Sequence, residues 1–212
     1  FTLGMMDLPD KAKIENLYWE IGQEVVESFK GQAYIPEEIR KLEDSLGDQY
    51  LCNFSVFQSL LDHWALGQLF PIMPVGRLNE RPTREATLVD ITCDSDGQIN
   101  KFIDLRDVRD TLPLHSIKRN GDGPSEPYCI GFFLMGAYQD IMGDLHNLFG
   151  RVNEVHVFVD DDDPEDFYLE EVIPGDTIEE VLKQVLYEPS DLARRVKNAL
   201  EARVKEGAIR PK

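Results

Sequence analysis

The sequence predicts an α+β fold: an antiparallel β domain, sandwich or barrel-like, set between helices at both ends. Three observations carry that expectation. Apolar residues near the start recur at helical spacing, a period of two sets in from residue 84 and recurs at 155–159, and helical spacing returns towards the end. In 212 residues this suggests a helical region over 1–68, a β domain over 69–174 and a helical tail over 175–212.

The first helix is expected over residues 9–30, with Ile14, Leu17, Tyr18, Ile21, Val25 and Phe29 along one stripe. Pro9 and Asp10 suit its start and Gly31 its stop. A second helix is expected over 36–46, with Ile39, Leu42 and Leu46 inward, and a short third over 56–61. Pro71 and Pro74 mark the change of texture. From residue 85 to 93 the period is two, so Thr87, Val89, Ile91 and Cys93 share a face. Residues 94–97 make a turn in which Gly97 supplies a positive φ. Residues 101–108 fit a return strand, 118–127 a polar loop and 128–138 a long buried strand that ends at Tyr138. A helix over 139–149 would turn Ile141, Leu145 and Leu148 inward and stop at Gly150. Residues 155–159 and 167–172 pair as strands. Asp176 with Glu179 forms a capping box for the next helix, and Leu192, Val196, Leu200 and Val204 form the stripe of the last.

Composition excludes several classes. A net charge of −18 repels nucleic acid and anionic lipid, so neither is an expected partner. Three cysteines, Cys52, Cys93 and Cys129, lack the spacing of a disulfide framework or a zinc site. They point to a reducing compartment and a cytoplasmic location. No apolar run approaches the roughly 20 residues of a membrane span. The chain opens at Phe1 in mid-pattern, as part of something longer would.

The stretch from Cys93 to Gly97 stands out chemically. A thiol at a strand end, followed by carboxylates on a turn, can set a proton donor beside a cation-binding group; carboxylates suit a guanidinium through paired hydrogen bonds. The plainer reading makes Cys93 a small buried hydrophobe, with Asp94 and Asp96 as turn formers. Tyr138 can donate its hydroxyl to a ligand phosphate, or serve as an ordinary core tyrosine. His115, His146 and His156 are not at metal-ligand spacing, and His63 reads as structural or exposed. Residues 160–163 with Glu165 and Asp166 fit a solvated hairpin tip better than a cation site.

Three segments carry a resemblance to a known family. NFSVFQSL at 53–60 with QLFPIMP at 68–74, LVDITCDSDG at 88–97, and GFFLMGAYQDIMGDLHNLFG at 131–150 resemble, in this order, segments of the biosynthetic arginine decarboxylases. The resemblance is strong from about residue 49 to 159. These are pyridoxal-phosphate enzymes of the alanine-racemase-like group, which join a β/α barrel to a β domain, with a helical insertion and a helical tail. The resemblance implies that this chain is the C-terminal portion. The catalytic barrel, with its Schiff-base lysine, is expected to lie outside it, because such a barrel needs about 250 residues of its own.

The resemblance also assigns roles. Cys93 matches the cysteine that donates a proton to Cα after carbon dioxide leaves. Asp94 matches the acid that grips the basic end of the substrate, Tyr138 the tyrosine on the cofactor phosphate, and His146 a position near the substrate side chain. It implies conversion of L-arginine to agmatine in polyamine synthesis, and a homo-oligomer, at least a dimer, with sites shared between chains. It also admits Mg2+, for which no ligand is assigned. Asp96 receives no role. A non-catalytic assembly or regulatory β domain, and a decarboxylase of another basic amino acid, are the alternatives.

Overall fold

The computed structural model describes residues 1–210 except 118, 121, 122, 125 and 164. It is mixed α and β, with helices towards both ends and several small sheets between; no β/α barrel occurs among the described residues. The chain divides into two compact units, each assembled from separated stretches.

The first unit comprises Phe1–Leu51, Leu69–Val89 and Gln98–Met135. Helix α1 spans Leu8–Phe29; Asp7 caps it by accepting the Asp10 N–H at 2.8 Å, and Gly31 follows it at φ +78°. Helix α2 spans Glu37–Ser45 and packs on α1 at Gly22, where an added Cβ would stand 3.2 Å from Leu46. The expected apolar stripe of α1 is only partly covered. Ile14, Leu17, Tyr18 and Ile21 are exposed, whereas Val25 and Phe29 are half-buried. A partner of nine residues cannot shield a stripe spread over twenty-two.

The sheet of this unit centres on β3, Arg84–Val89. Strand β1, Asp48–Leu51, lies parallel to it, with Tyr50 opposite Leu88. That pair departs from the all-antiparallel expectation, and the long connection between the strands permits it. Strands β4, Gln98–Ile99, and β7, Leu112–Leu114, both run antiparallel to β3. The period of two holds in β3, but the deeply buried face is the one carrying Ala86 and Leu88, opposite to Thr87 and Val89. The strand also ends at Val89 rather than at residue 93.

Instead of one return strand over 101–108, β5, Phe102–Ile103, folds back on β6, Val108–Arg109. Leu88, Ile99, Phe102, Leu112 and Leu114 form the core. Strand β2, Ile72–Pro74, pairs with β10, Ile130–Phe132. The long strand expected over 128–138 is therefore three residues, and Leu134 at φ +61° breaks its extension. Within the expected polar loop, β8, Arg119–Asn120, pairs with β9, Gly123–Pro124; residues 118, 121, 122 and 125 lie outside the described residues.

The second unit comprises Cys52–Gln68, Asp90–Gly97 and Gly136–Lys212. Helices α3, Val56–Ser59, and α4, Leu61–Leu66, carry its core residues Phe54, Val56, Phe57 and Leu60 on or beside them. Helix α5 spans Ala137–Met142, shorter than the expected 139–149, and a 3-10 turn follows at His146–Leu148. Ile141 and Leu148 are exposed rather than inward, and Gly150 closes the segment at φ +67°. Strands β11, Glu154–Val159, and β12, Phe167–Ile173, pair antiparallel as expected. Val155, Val157, Phe158, Val159, Phe167, Tyr168 and Leu169 are all exposed on this two-stranded ribbon.

Helix α6, Ile178–Gln184, has its capping box one residue later than expected, on Thr177 and Glu180. Asp176 is instead occupied by Arg151, whose backbone N–H it accepts at 2.9 Å and whose guanidinium it meets at 3.1 Å. Helix α7 spans Pro189–Lys205, and its Val196 and Leu200 are exposed.

Candidate functional site

All four residues singled out from the sequence fall in the second unit: Cys93 and Asp94 on the loop 90–97, Tyr138 on α5 and His146 on the 3-10 turn. The loop begins where β3 stops. Asp90 continues the buried alternation of Ala86 and Leu88, and is 6% exposed. Its N–H donates to the Gly97 carbonyl at 2.8 Å, which closes the neck of the loop. The side chain has three donors around it. Val56 N–H reaches Oδ2 at 2.9 Å, Thr92 N–H reaches Oδ1 at 2.9 Å, and the Thr92 hydroxyl reaches Oδ1 at 2.7 Å.

Gly97 does not take the positive φ expected of it; its requirement is room. A Cβ there would stand 2.1 Å from Asp90 Oδ1, closer than any side chain tolerates. Asp94 turns the chain by accepting the Asp96 N–H on Oδ1 at 3.0 Å, and its own carbonyl accepts the Gly97 N–H at 3.1 Å. Cys93 at the tip is exposed, not a buried hydrophobe, so the plainer reading of this residue fails.

The segment 136–148 supplies the remaining residues. Gly143 lets α5 lie against α3: a Cβ there would meet the Gln58 carbonyl oxygen at 2.0 Å. Gln139 is buried, accepting the Asp62 N–H at 3.1 Å and donating its amide to the Asp62 carboxylate. With Gln139 inward, its neighbour Tyr138 points away and is 74% exposed. Tyr138 thus lies on a helix rather than at a strand end.

His146 stacks on Phe57 with ring centroids 4.6 Å apart, and its Nε2 is buried without a hydrogen-bond partner among the described residues. Ser55 Oγ and Gln58 Oε1, also in this unit, share that condition. Asn147 adopts φ +57° and Leu148 φ +61°, two successive left-handed residues of which only the first is a type that visits this region readily. The Asn147 amide donates to Cys93 Sγ at 3.6 Å. The fold therefore brings Cys93 and the 146–147 segment together. Asp90, Gly143 and Asn147 escaped the reading of the sequence, and Gly97 was read there for a positive φ that it does not take. A buried parity position in the strand pattern was the only signal for Asp90.

Other candidates resolve as structure. His115 is 3% exposed and fully satisfied: Nε2 faces the Glu80 carbonyl at 2.9 Å and so carries the proton, while Nδ1 accepts the Tyr128 hydroxyl at 2.8 Å. The Tyr128 oxygen in turn accepts the His115 N–H at 3.0 Å. Burial, with the Asp90 carboxylate as a second cause, pushes the Cys52 thiol up to about 11, which leaves it unreactive at neutral pH. Residues 160–163 form an exposed tip between β11 and β12, where Asp160 accepts the N–H groups of Asp162 and Asp163; Pro164 lies outside the described residues. Among the described residues no group of three or more His, Cys, Asp or Glu is arranged to hold a metal ion.

Comparisons with known proteins point one way. The family model of the arginine decarboxylase helical bundle domain matches residues 1–43. The biosynthetic arginine decarboxylase of Phocaeicola vulgatus is 50% identical over 209 residues, covering 99% of this chain and 32% of that protein. That of Bacteroides thetaiotaomicron is 49% identical, with the same coverage. The crystal structure of the biosynthetic arginine decarboxylase of Campylobacter jejuni is 32% identical, with a TM-score of 0.50, over 89% of this chain and 33% of that one. The chain spans about a third of the length of the curated relatives it matches.

Proposed function

We propose that this chain, which is homologous to a portion of the biosynthetic arginine decarboxylases, supplies the proton-donating side of such an enzyme's active site. The reaction is L-arginine to agmatine and carbon dioxide, a step that feeds polyamine synthesis. The observation that carries the reading is the exposed Cys93 thiol, held at a loop tip and hydrogen-bonded by Asn147 beside His146.

Pyridoxal phosphate, when bound, supplies the electron sink that makes loss of carbon dioxide feasible. This chain suits it in part. The Tyr138 hydroxyl is exposed and without a partner among the described residues, and would donate to the phosphate. The lysine that anchors the cofactor belongs to a barrel outside this chain, and the sheets described here, with their flanking helices, make up the β domain that accompanies it. Cys93 holds a proton at Sγ and gives it to the substrate Cα. Asp94 accepts from the guanidinium of the substrate, and His146 borders its methylene chain. Cys93 and Asp94 act on a site completed by a second chain, in a homo-oligomer.

The test is Cys93→Ala in the full-length enzyme. Cofactor and arginine binding should change little, while agmatine formation falls about 10²–10⁴-fold. Products should include the aldehyde that forms when the proton does not reach Cα and the amino group stays with the cofactor. Agmatine at the wild-type rate, without aldehyde, would remove Cys93 from the reaction.

A further inference from the structure

We propose that Asp90 is the positioning residue of the proton donor: its carboxylate fixes both neighbours of Cys93 and so sets where the thiol stands. The inference rests on the reading of Cys93 given above. The two residues that flank the thiol both hang from this one group. Thr92 is held directly, through its N–H at 2.9 Å and its hydroxyl at 2.7 Å. Asp94 is held at one remove, its N–H pointing to Thr92 Oγ1 at 3.4 Å. The other carboxylate oxygen is anchored on the first residue of α3, at Val56 N–H. The loop tip is thereby tied to the helix whose Phe57 carries the His146 ring. Gly97 walls the group in, since any side chain there would overlap Asp90 Oδ1.

The chemistry calls for a carboxylate specifically. Every group around Asp90 named above is a donor, and both oxygens must accept. An asparagine has the same shape but one accepting end. Turned one way its amide N–H groups face the Val56 N–H; turned the other way they face the Thr92 N–H. The isosteric change therefore breaks one side of the tether whichever way it settles. A glutamate is a methylene longer in a site with no slack at Gly97. Charge-assisted bonds of this kind are the strong ones, and a donor misplaced by about 1 Å costs on the order of a hundredfold in rate.

The experiment uses the full-length enzyme with Asp90→Asn, Thr92→Val and Thr92→Ser, read in two ways. The first is the rate at which iodoacetamide alkylates Cys93, followed by peptide mass so that Cys52 and Cys129 are counted separately; it needs no turnover. The second is kcat, KM for arginine and the aldehyde-to-agmatine ratio. Asp90→Asn should change the alkylation rate several-fold, lower kcat roughly ten- to a hundredfold with little change in KM, and raise the aldehyde fraction. Thr92→Val should do the same more weakly, and Thr92→Ser, which keeps the hydroxyl, should behave as wild type. Wild-type alkylation and product ratio in Asp90→Asn overturn the proposal. If that variant does not fold, the same result in Thr92→Val overturns it. Should Cys93→Ala itself prove silent, the proton-donor reading fails, and the alkylation rates still decide whether Asp90 positions the thiol.

Discussion

The buried His115 and the partly buried His146 differ sharply in how their polar atoms are satisfied. His115, in the first unit, has a partner for each ring nitrogen and for its backbone N–H. His146, in the second, has a buried Nε2 with no hydrogen-bond partner among the described residues, and Ser55 Oγ and Gln58 Oε1 share that condition. Around His115 the neighbouring β3 core is closed and apolar. Around His146 the backbone is held in two successive left-handed conformations. Native interiors rarely leave polar atoms unpaired, and where they do the site commonly serves a ligand. Spacing alone set neither histidine apart; hydrogen-bond accounting does.

Substitution puts the contrast at risk. His115→Ala should cost roughly 2–4 kcal/mol, because it opens a cavity and strands the Tyr128 hydroxyl and the Glu80 carbonyl. His146→Ala should cost about 1 kcal/mol or less, chiefly the stacking on Phe57. Denaturant midpoints of the chain measure both; equal losses would erase the distinction between a structural and a functional histidine.

Tyr138→Phe sharpens it differently. An exposed hydroxyl without a partner contributes nothing to folding, so the midpoint should not move. In the full-length enzyme the same change should weaken cofactor retention about tenfold or more, the worth of one charge-assisted hydrogen bond. Titration of apo-enzyme with pyridoxal phosphate reads this, and unchanged affinity would take Tyr138 off the phosphate.

The smallest effect concerns Asp176. Hydrogen bonds from the Arg151 side chain and backbone hold its carboxyl below the usual carboxylate range. A depressed folded value means that the contact stabilises fully above the ordinary pKa of about 3.9 and is lost as pH falls through the lower folded value. Because Arg151 is largely solvent-exposed, Asp176→Asn should cost no more than about 1 kcal/mol near neutral pH. It should also flatten the acid side of the stability profile; an unchanged profile would make the pair ornamental.

The sequence made some of this legible and hid the rest for physical reasons. Gly31 and Gly150 end helical segments at positive φ, and the β11–β12 pair follows its alternation, because these are local properties. The run 128–138 misled because an unbroken apolar stretch carries no period. Only the backbone shows the break at Leu134 and the helix that turns Tyr138 outward. Cys93 and Asp94 were visible as residue types on a turn. Asp90 was not, since its anchor is Val56, thirty-four positions away. Gly97 was noticed for the wrong property, conformational freedom, when its use is to leave space.

The β11–β12 ribbon has a consequence for how the chain behaves in bulk. Its exposed valines and aromatics would adhere to like surfaces on other copies, and what opposes that at neutral pH is the mutual repulsion of molecules carrying −18 charge. Salt screens that repulsion over about 10 Å at 0.1 M, and acidification to the isoelectric region near 4.5 cancels it by neutralising part of the carboxylates. The chain should therefore be clearest in dilute buffer well above the carboxylate range. It should turn turbid on acidification before any unit unfolds, with light scattering rising while the circular dichroism stays unchanged.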